Sequence, residues 1–214
     1  MESSVTMQKK LICLGDSLTF GYGVRPSLRW TNVAAKETGW EIVNEGINGD
    51  TTGGMLARLQ TKVLPTLRVG TFCANRPCVL LMGGANDVFY SGTDTAARGN
   101  MGAMLHQLLA AGVFPMVGSP LPVDAAHAPE AWAAAVDFSA AAECLREYCG
   151  WLARFCAAFG VPLVDFCADF LSPDGRMICT ELLLDGLHPT PEGHQLMARR
   201  LCAQLKENNR DNDN

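Results

Sequence analysis

Apolar and polar positions along the chain follow two different rhythms. Short, nearly continuous apolar runs fall at 10–14, 41–44, 78–82, 114–117 and 162–166. Runs of this length, bounded by turn residues, read as buried strands. Between them the apolar residues recur every three or four positions. Residues 52–67 carry Met55, Leu56, Leu59, Val63 and Leu67 at helical spacing, with Thr51 or Thr52 as the cap. Residues 99–111 repeat the pattern through Met101, Met104, Leu105, Leu108 and Leu109. The longest stripe, over 139–159, runs through Cys144, Leu145, Tyr148, Leu152, Phe155 and Phe159, and Gly160 closes it. A last helix opens with Thr190 and Pro191 and continues through Leu196, Met197, Leu201 and Leu205. Strands alternating with helices predict an α/β protein: a mostly parallel five-stranded sheet with helices on both faces. We expect one domain over 1–206 and a polar tail over 207–214. The stretch 119–142, rich in alanine and holding Pro120, Pro122 and Pro129, reads as a loop with a short helix over the sheet edge. Within it, Trp132 and Phe138 are the candidates for an apolar lid. Trp30, Trp40, Trp132 and Trp151 read as packing residues rather than a binding stripe.

Composition narrows this further. The chain has 214 residues, 48% hydrophobic, enough for a sizeable single core. A formal net charge of −5 without a basic block argues against a nucleic-acid partner. Residues 1–10 lack the apolar centre of a signal peptide, and no apolar run has membrane-spanning length, so a cytoplasmic location without an integral membrane segment is expected. The nine cysteines (13, 73, 78, 144, 149, 156, 167, 179 and 202) include no C-x-x-C pair. They read as reduced thiols used as small apolar residues, with neither a disulfide framework nor a metal site.

The chemistry lies where strands end. The first strand stops at Gly15-Asp16-Ser17, which delivers a serine to the carboxyl edge of the sheet, where α/β proteins place their sites. Serine needs a base to become a nucleophile. Near the other end, Asp185-Gly186-Leu187-His188-Pro189 supplies an imidazole with a carboxylate three residues before it. His188 can take the proton, and Asp185 can orient the ring and stabilise its charged form. Two further strand-end turns offer donors to an oxyanion: the backbone N–H of Gly49 and the side-chain amide of Asn86. Asp16, Asp50 and Asp87 read as loop braces, with Asp16 a second candidate partner for His188. His106, His127 and His194 read as surface or structural histidines.

Four segments carry a resemblance: Gly15-Asp16-Ser17-Leu18-Thr19-Phe20-Gly21-Tyr22-Gly23, Asn44-Glu45-Gly46-Ile47-Asn48-Gly49-Asp50-Thr51, Gly84-Ala85-Asn86-Asp87, and Asp185-Gly186-Leu187-His188-Pro189. In this order they resemble the blocks of the SGNH hydrolases, the GDSL esterase/lipase family, and within it the lysophospholipase L1 and acyl-CoA thioesterase I group. The resemblance implies a flavodoxin-like three-layer α/β/α fold. It implies Ser17 as nucleophile, His188 as general base and Asp185 as its orienting partner. The backbone amides of Ser17 and Gly49 and the side chain of Asn86 would form the oxyanion hole. The activity implied is cleavage of a small-molecule carboxylic ester or thioester through an acyl-enzyme, with no metal or organic cofactor. Two alternatives stay open on sequence alone. One is a carbohydrate deacetylase or acyltransferase on the same triad. The other is a non-catalytic module holding a phosphate in the turn after the first strand. The second leaves Asp185 and His188 without a role, and the turn lacks a P-loop lysine.

Overall fold

The computed structural model describes residues 9–69 and 77–212. Cys73, most of the polar N-terminal stretch and the last two tail residues lie outside these. Five strands form one sheet: β1 (Lys10–Gly15), β2 (Glu41–Gly46), β3 (Cys78–Met82), β4 (Phe114–Gly118) and β5 (Leu163–Val164). All neighbours are parallel, in the order β2-β1-β3-β4-β5. Helices fill the crossovers: α1 (Ser17–Phe20), α2 (Trp30–Thr38), α3 (Thr52–Arg58), α4 (Leu64–Val69), α5 (Ala85–Ser91), α6 (Thr95–Ala110), α7 (Phe138–Phe159) and α8 (Pro191–Asn212).

Strand side chains alternate between faces, so each central strand feeds two cores. Ile12, Leu14, Val79, Leu81 and Val117 pack with Met55, Leu59, Met101, Leu105, Leu145 and Leu152 from α3, α6 and α7 and the turn after α3. Leu11, Cys13, Leu80, Met82 and Met116 point the other way, against Trp30, Val33, Met197 and Leu201 from α2 and α8. The result is the expected α/β/α sandwich. Its strand order reverses direction of growth between β1 and β3, which opens a crevice at their carboxyl ends. Register matters here: Gly15 lies opposite both Gly46 and Met82. The first three strands therefore end level, and their following loops rise from one line.

Several elements depart from the sequence reading. The helical run over 52–67 is interrupted by a π-helical turn over Leu59–Val63. Pro65, in the first turn of α4, has no N–H for the preceding turn, and the wider turn absorbs the break. β5 keeps two residues of the expected five. Pro162 cannot donate to the ladder, and the Asp165 carboxylate accepts from the Ser119 hydroxyl and the Ala168 amide, turning the chain out of the sheet. Phe138 is no lid: it opens α7, lies buried, and meets Phe89 edge-on at 5.8 Å. Trp132 sits in a single 3-10 turn and is exposed. Residues 207–212 of the polar tail are helical, as the last turns of α8. Trp30 is fully buried, and its indole N–H donates to the Leu18 carbonyl, pinning α1 from below. The eight cysteines among the described residues are free thiols.

Candidate active site

Ser17 opens α1 directly beyond β1. The buried Asp16 is its N-cap: Oδ1 accepts from the Leu18 N–H at 2.9 Å. Burial pushes the Asp16 carboxyl up to about 7, against the lowering effect of the Leu18 amide and of His188. Asp16 thus braces the turn, and another carboxylate meets His188. In the loop before α8, the Asp185 side chain accepts from the backbone N–H groups of Leu187, at 3.1 Å, and His188, at 2.8 Å. It also faces Nδ1 of the His188 ring, at 2.9 Å from Oδ2 and 3.1 Å from Oδ1. Burial alone would raise the Asp185 carboxyl; the ring and backbone hydrogen bonds overcome it and hold it below its ordinary value. That network assigns the ring proton to Nδ1 and leaves Nε2 to accept. Nε2 lies 3.0 Å from the Ser17 hydroxyl. One hydrogen-bonded line therefore runs from Asp185 through His188 to Ser17, across 171 residues of sequence. The Tyr22 ring leans on the imidazole at 4.5 Å.

The loop order follows from the backbone. Gly186, at φ +75°, lets the Asp185–His188 turn lie directly on the 124–128 segment, and its carbonyl accepts from the Asp124 N–H at 2.9 Å. Leu184 and His188 close the turn through a 2.7 Å backbone bond.

The other two strand-end turns meet beside Ser17's strand. The Asn86 side chain, 5% exposed at the start of α5, donates to the Asp50 carbonyl at 2.8 Å. Its second N–H is free of that bond. Asp50 follows Gly49, which is exposed and has φ +74°. Asp87 accepts from the Thr52 amide and hydroxyl at 2.9 and 2.6 Å, so α5 also holds the start of α3. Sequence reasoning thus places Asp50 and Asp87 correctly as braces. It overlooks Arg58, which donates to Asp50 and to the carbonyls of Gly15 and Glu45. Nothing in the spacing marks that residue, since its partners lie in three different segments.

The remaining histidines sit elsewhere. His106 is exposed on α6 against Phe159. His127 pairs with Asp124 at 2.6 Å. His194 is fully buried and accepts from the Trp30 N–H at 3.3 Å. Among the described residues no three His, Cys, Asp or Glu side chains gather as metal ligands would, and no helix is long and apolar enough to cross a membrane.

A flavodoxin-like sheet with a Ser–His–Asp line at its switch point defines a recognisable class of α/β protein. Residues 13–196 match the sequence model of the GDSL-like Lipase/Acylhydrolase family, and the chain belongs to that family. No curated protein matches it. Among solved structures it is similar to the native aryl esterase of M. smegmatis, at 21% identity and TM-score 0.73, over 93% of this chain and 99% of that one. It is similar to a carbohydrate acetylesterase from Sinorhizobium meliloti, at 20% identity and TM-score 0.72, over 94% and 99%. A member of the lipolytic protein G-D-S-L family from Veillonella parvula DSM 2008 matches at 20% identity and TM-score 0.71, over 91% and 97%. At these identities the likeness is one of fold.

Proposed function

We propose that this chain is a serine ester hydrolase that works through an acyl-enzyme. The observation that supports it most is the Asp185–His188–Ser17 line, with contacts of 2.9 and 3.0 Å, at the carboxyl end of β1. In this reading the Ser17 Oγ attacks the acyl carbonyl while His188 Nε2 takes its proton. The new negative charge on the carbonyl oxygen is met by the Ser17 and Gly49 backbone amides and the Asn86 side chain. The tetrahedral adduct collapses as His188 returns the proton to the leaving alcohol or thiol. Water, deprotonated by His188, then attacks the acyl-serine, and the acid leaves with the proton restored to Ser17. Asp185 holds the ring in the tautomer that both halves need.

The surroundings favour an apolar ester. Of the large apolar side chains left exposed, Tyr22, Ile47, Tyr90 and Leu184 all adjoin these groups. Tyr22 lies on His188, Leu184 precedes Asp185 and lies by Gly23, the Ile47 amide donates to the Gly15 carbonyl, and the Tyr90 hydroxyl reaches the Gly49 carbonyl at 3.4 Å. Such a rim suits an acyl or aryl group better than a sugar. Both carboxylic and thioesters fit the chemistry.

A fluorophosphonate probe tests the assignment. We expect labelling of the folded protein at Ser17, none in Ser17→Ala, and a large loss of rate in His188→Ala. An unlabelled folded wild type, or His188→Ala labelled at the wild-type rate, would remove the proposed triad. Turnover of p-nitrophenyl acetate against an acetylated sugar and an acyl-CoA then sorts the substrate class.

A further inference from the structure

Arg58 ends α3 where the helix opens into the π-helical turn, a local distortion often met near functional sites. Its guanidinium is largely buried, and its hydrogen bonds are unusually well distributed. Nε and Nη2 donate to Asp50 Oδ2 at 3.0 and 2.5 Å. Nη1 donates to the Glu45 carbonyl at 2.7 Å, and Nη2 also to the Gly15 carbonyl at 2.9 Å. These acceptors lie in three places: the last residue of β1, two before Ser17; the end of β2; and the residue after Gly49. Asp50 carries the linkage on, because its own carbonyl accepts from Asn86. All three donors assigned to the oxyanion hole are therefore referenced to one side chain. Ser17 is reached through Gly15, Gly49 through Asp50, and Asn86 through the Asp50 carbonyl.

We propose that Arg58 is the positioning residue of the oxyanion hole, clamping from behind the three segments that bear Ser17, Gly49 and Asn86. The inference rests on the serine-hydrolase reading above. A planar fork with five donors can satisfy three acceptors in fixed directions; an ammonium on a flexible stem cannot. The close fit extends to Gly54, where an added Cβ would lie 1.8 Å from Asp50 Oδ1. The Asp50 side chain is thus laid flat over the start of α3 toward Arg58. Since Asp50 neutralises the guanidinium, its role lies in geometry: the donors stand ready before charge develops, and no reorganisation is needed at the moment of reaction.

The test uses Arg58→Lys, which keeps the charge, and Asp50→Asn, which leaves Arg58 on its carbonyl partners. For each, kcat and KM on p-nitrophenyl acetate are measured beside thermal unfolding and inhibition by phenylboronic acid, which forms a tetrahedral adduct on an active serine. We expect kcat to fall on the order of 10- to 100-fold with KM changed less than about threefold. Boronate affinity should fall by a factor parallel to kcat, in protein that remains folded at the assay temperature. Wild-type kcat and boronate affinity in folded Arg58→Lys would overturn the proposal, as would a lowered unfolding temperature with unchanged kcat per folded molecule. If wild type and Ser17→Ala hydrolyse the ester equally, the serine-hydrolase reading fails. If hydrolysis depends on Ser17 but not on Arg58, only the positioning role does.

Discussion

Replacing Gly186 by alanine separates local backbone strain from the tertiary contact that places the histidine. At φ +75°, an L side chain costs about 1–2 kcal/mol by itself. The added Cβ would also stand 2.5 Å from the Asp124 carbonyl oxygen and 2.8 Å from the Ala128 nitrogen and the His127 carbonyl carbon. Real Cβ contacts essentially never fall below 3.0 Å, so the two backbones must part by at least 0.5 Å. Neither is a flexible side-chain tip, and the Asp124–Gly186 hydrogen bond resists the movement. Overpacking of this kind adds about 1–3 kcal/mol. The displaced turn carries both Asp185 and His188, and the 3.0 Å contact to Ser17 tolerates little of that movement. We expect Gly186→Ala to lose about 2–5 kcal/mol of stability in urea denaturation and on the order of 10- to 100-fold in kcat on p-nitrophenyl acetate. Gly160→Ala is the control. Its φ is +61°, it caps α7, and nothing lies within 4 Å of its added Cβ. It should cost only the conformational term, about 1–2 kcal/mol, and leave turnover unchanged. Equal stability losses in the two variants, with wild-type turnover in Gly186→Ala, would refute the role given to the close approach.

Other consequences follow from single side chains. Asn86→Ala should reduce kcat on the order of 10²- to 10³-fold by removing a hole donor, while the lost bond to Asp50 costs about 1 kcal/mol in denaturation. Tyr148→Phe should leave the unfolding temperature unchanged or slightly raised, because the buried Tyr148 hydroxyl finds no hydrogen-bond partner among the described residues. Burial, helped by the Arg29 cation and His188, lowers His194 from 6.5 to about 4. The unfolded chain then binds a proton that the fold excludes, and this group loses about 3 kcal/mol of its contribution as pH falls from 6.5 to 4. Asp16, raised by burial from 3.8 to about 7, acts with the opposite sign, its contribution present at low pH and lost as pH rises through about 7. The two offset each other in the wild type, so in urea denaturation between about pH 4.5 and 6.5 Asp16→Asn should lose stability on acidification and His194→Gln should gain it. Identical slopes in the two variants would contradict these burial effects.

Much of the architecture was legible because long, strongly periodic segments carry their own evidence. The stripe over α7 left that helix one face to bury, and the apolar runs of β1 and β3 could not face water on either side. Short elements had no such signal. The four residues of α1 and the seven of α5 span too few turns to show a period, and each forms because a strand-end turn starts it. α2 did hold a readable cue in Trp30, Val33 and Ala34 followed by Gly39, which the sequence reading passed over.

The chain itself determined which residue types stand at strand ends: Ser17, Gly49 and Asn86 after β1, β2 and β3, and the Asp185–His188 pair, whose three-residue spacing is a local property of one turn. What only the folded molecule decided is how these ends meet. Level register of the first three strands sets the loops side by side, and Gly186 lies on the 124–128 backbone to aim His188 at Ser17. The Arg58 guanidinium gathers carbonyls from segments with no common sequence signature. Periodicity is a property of neighbours along a chain, whereas a hydrogen-bond fork reports only on neighbours in space.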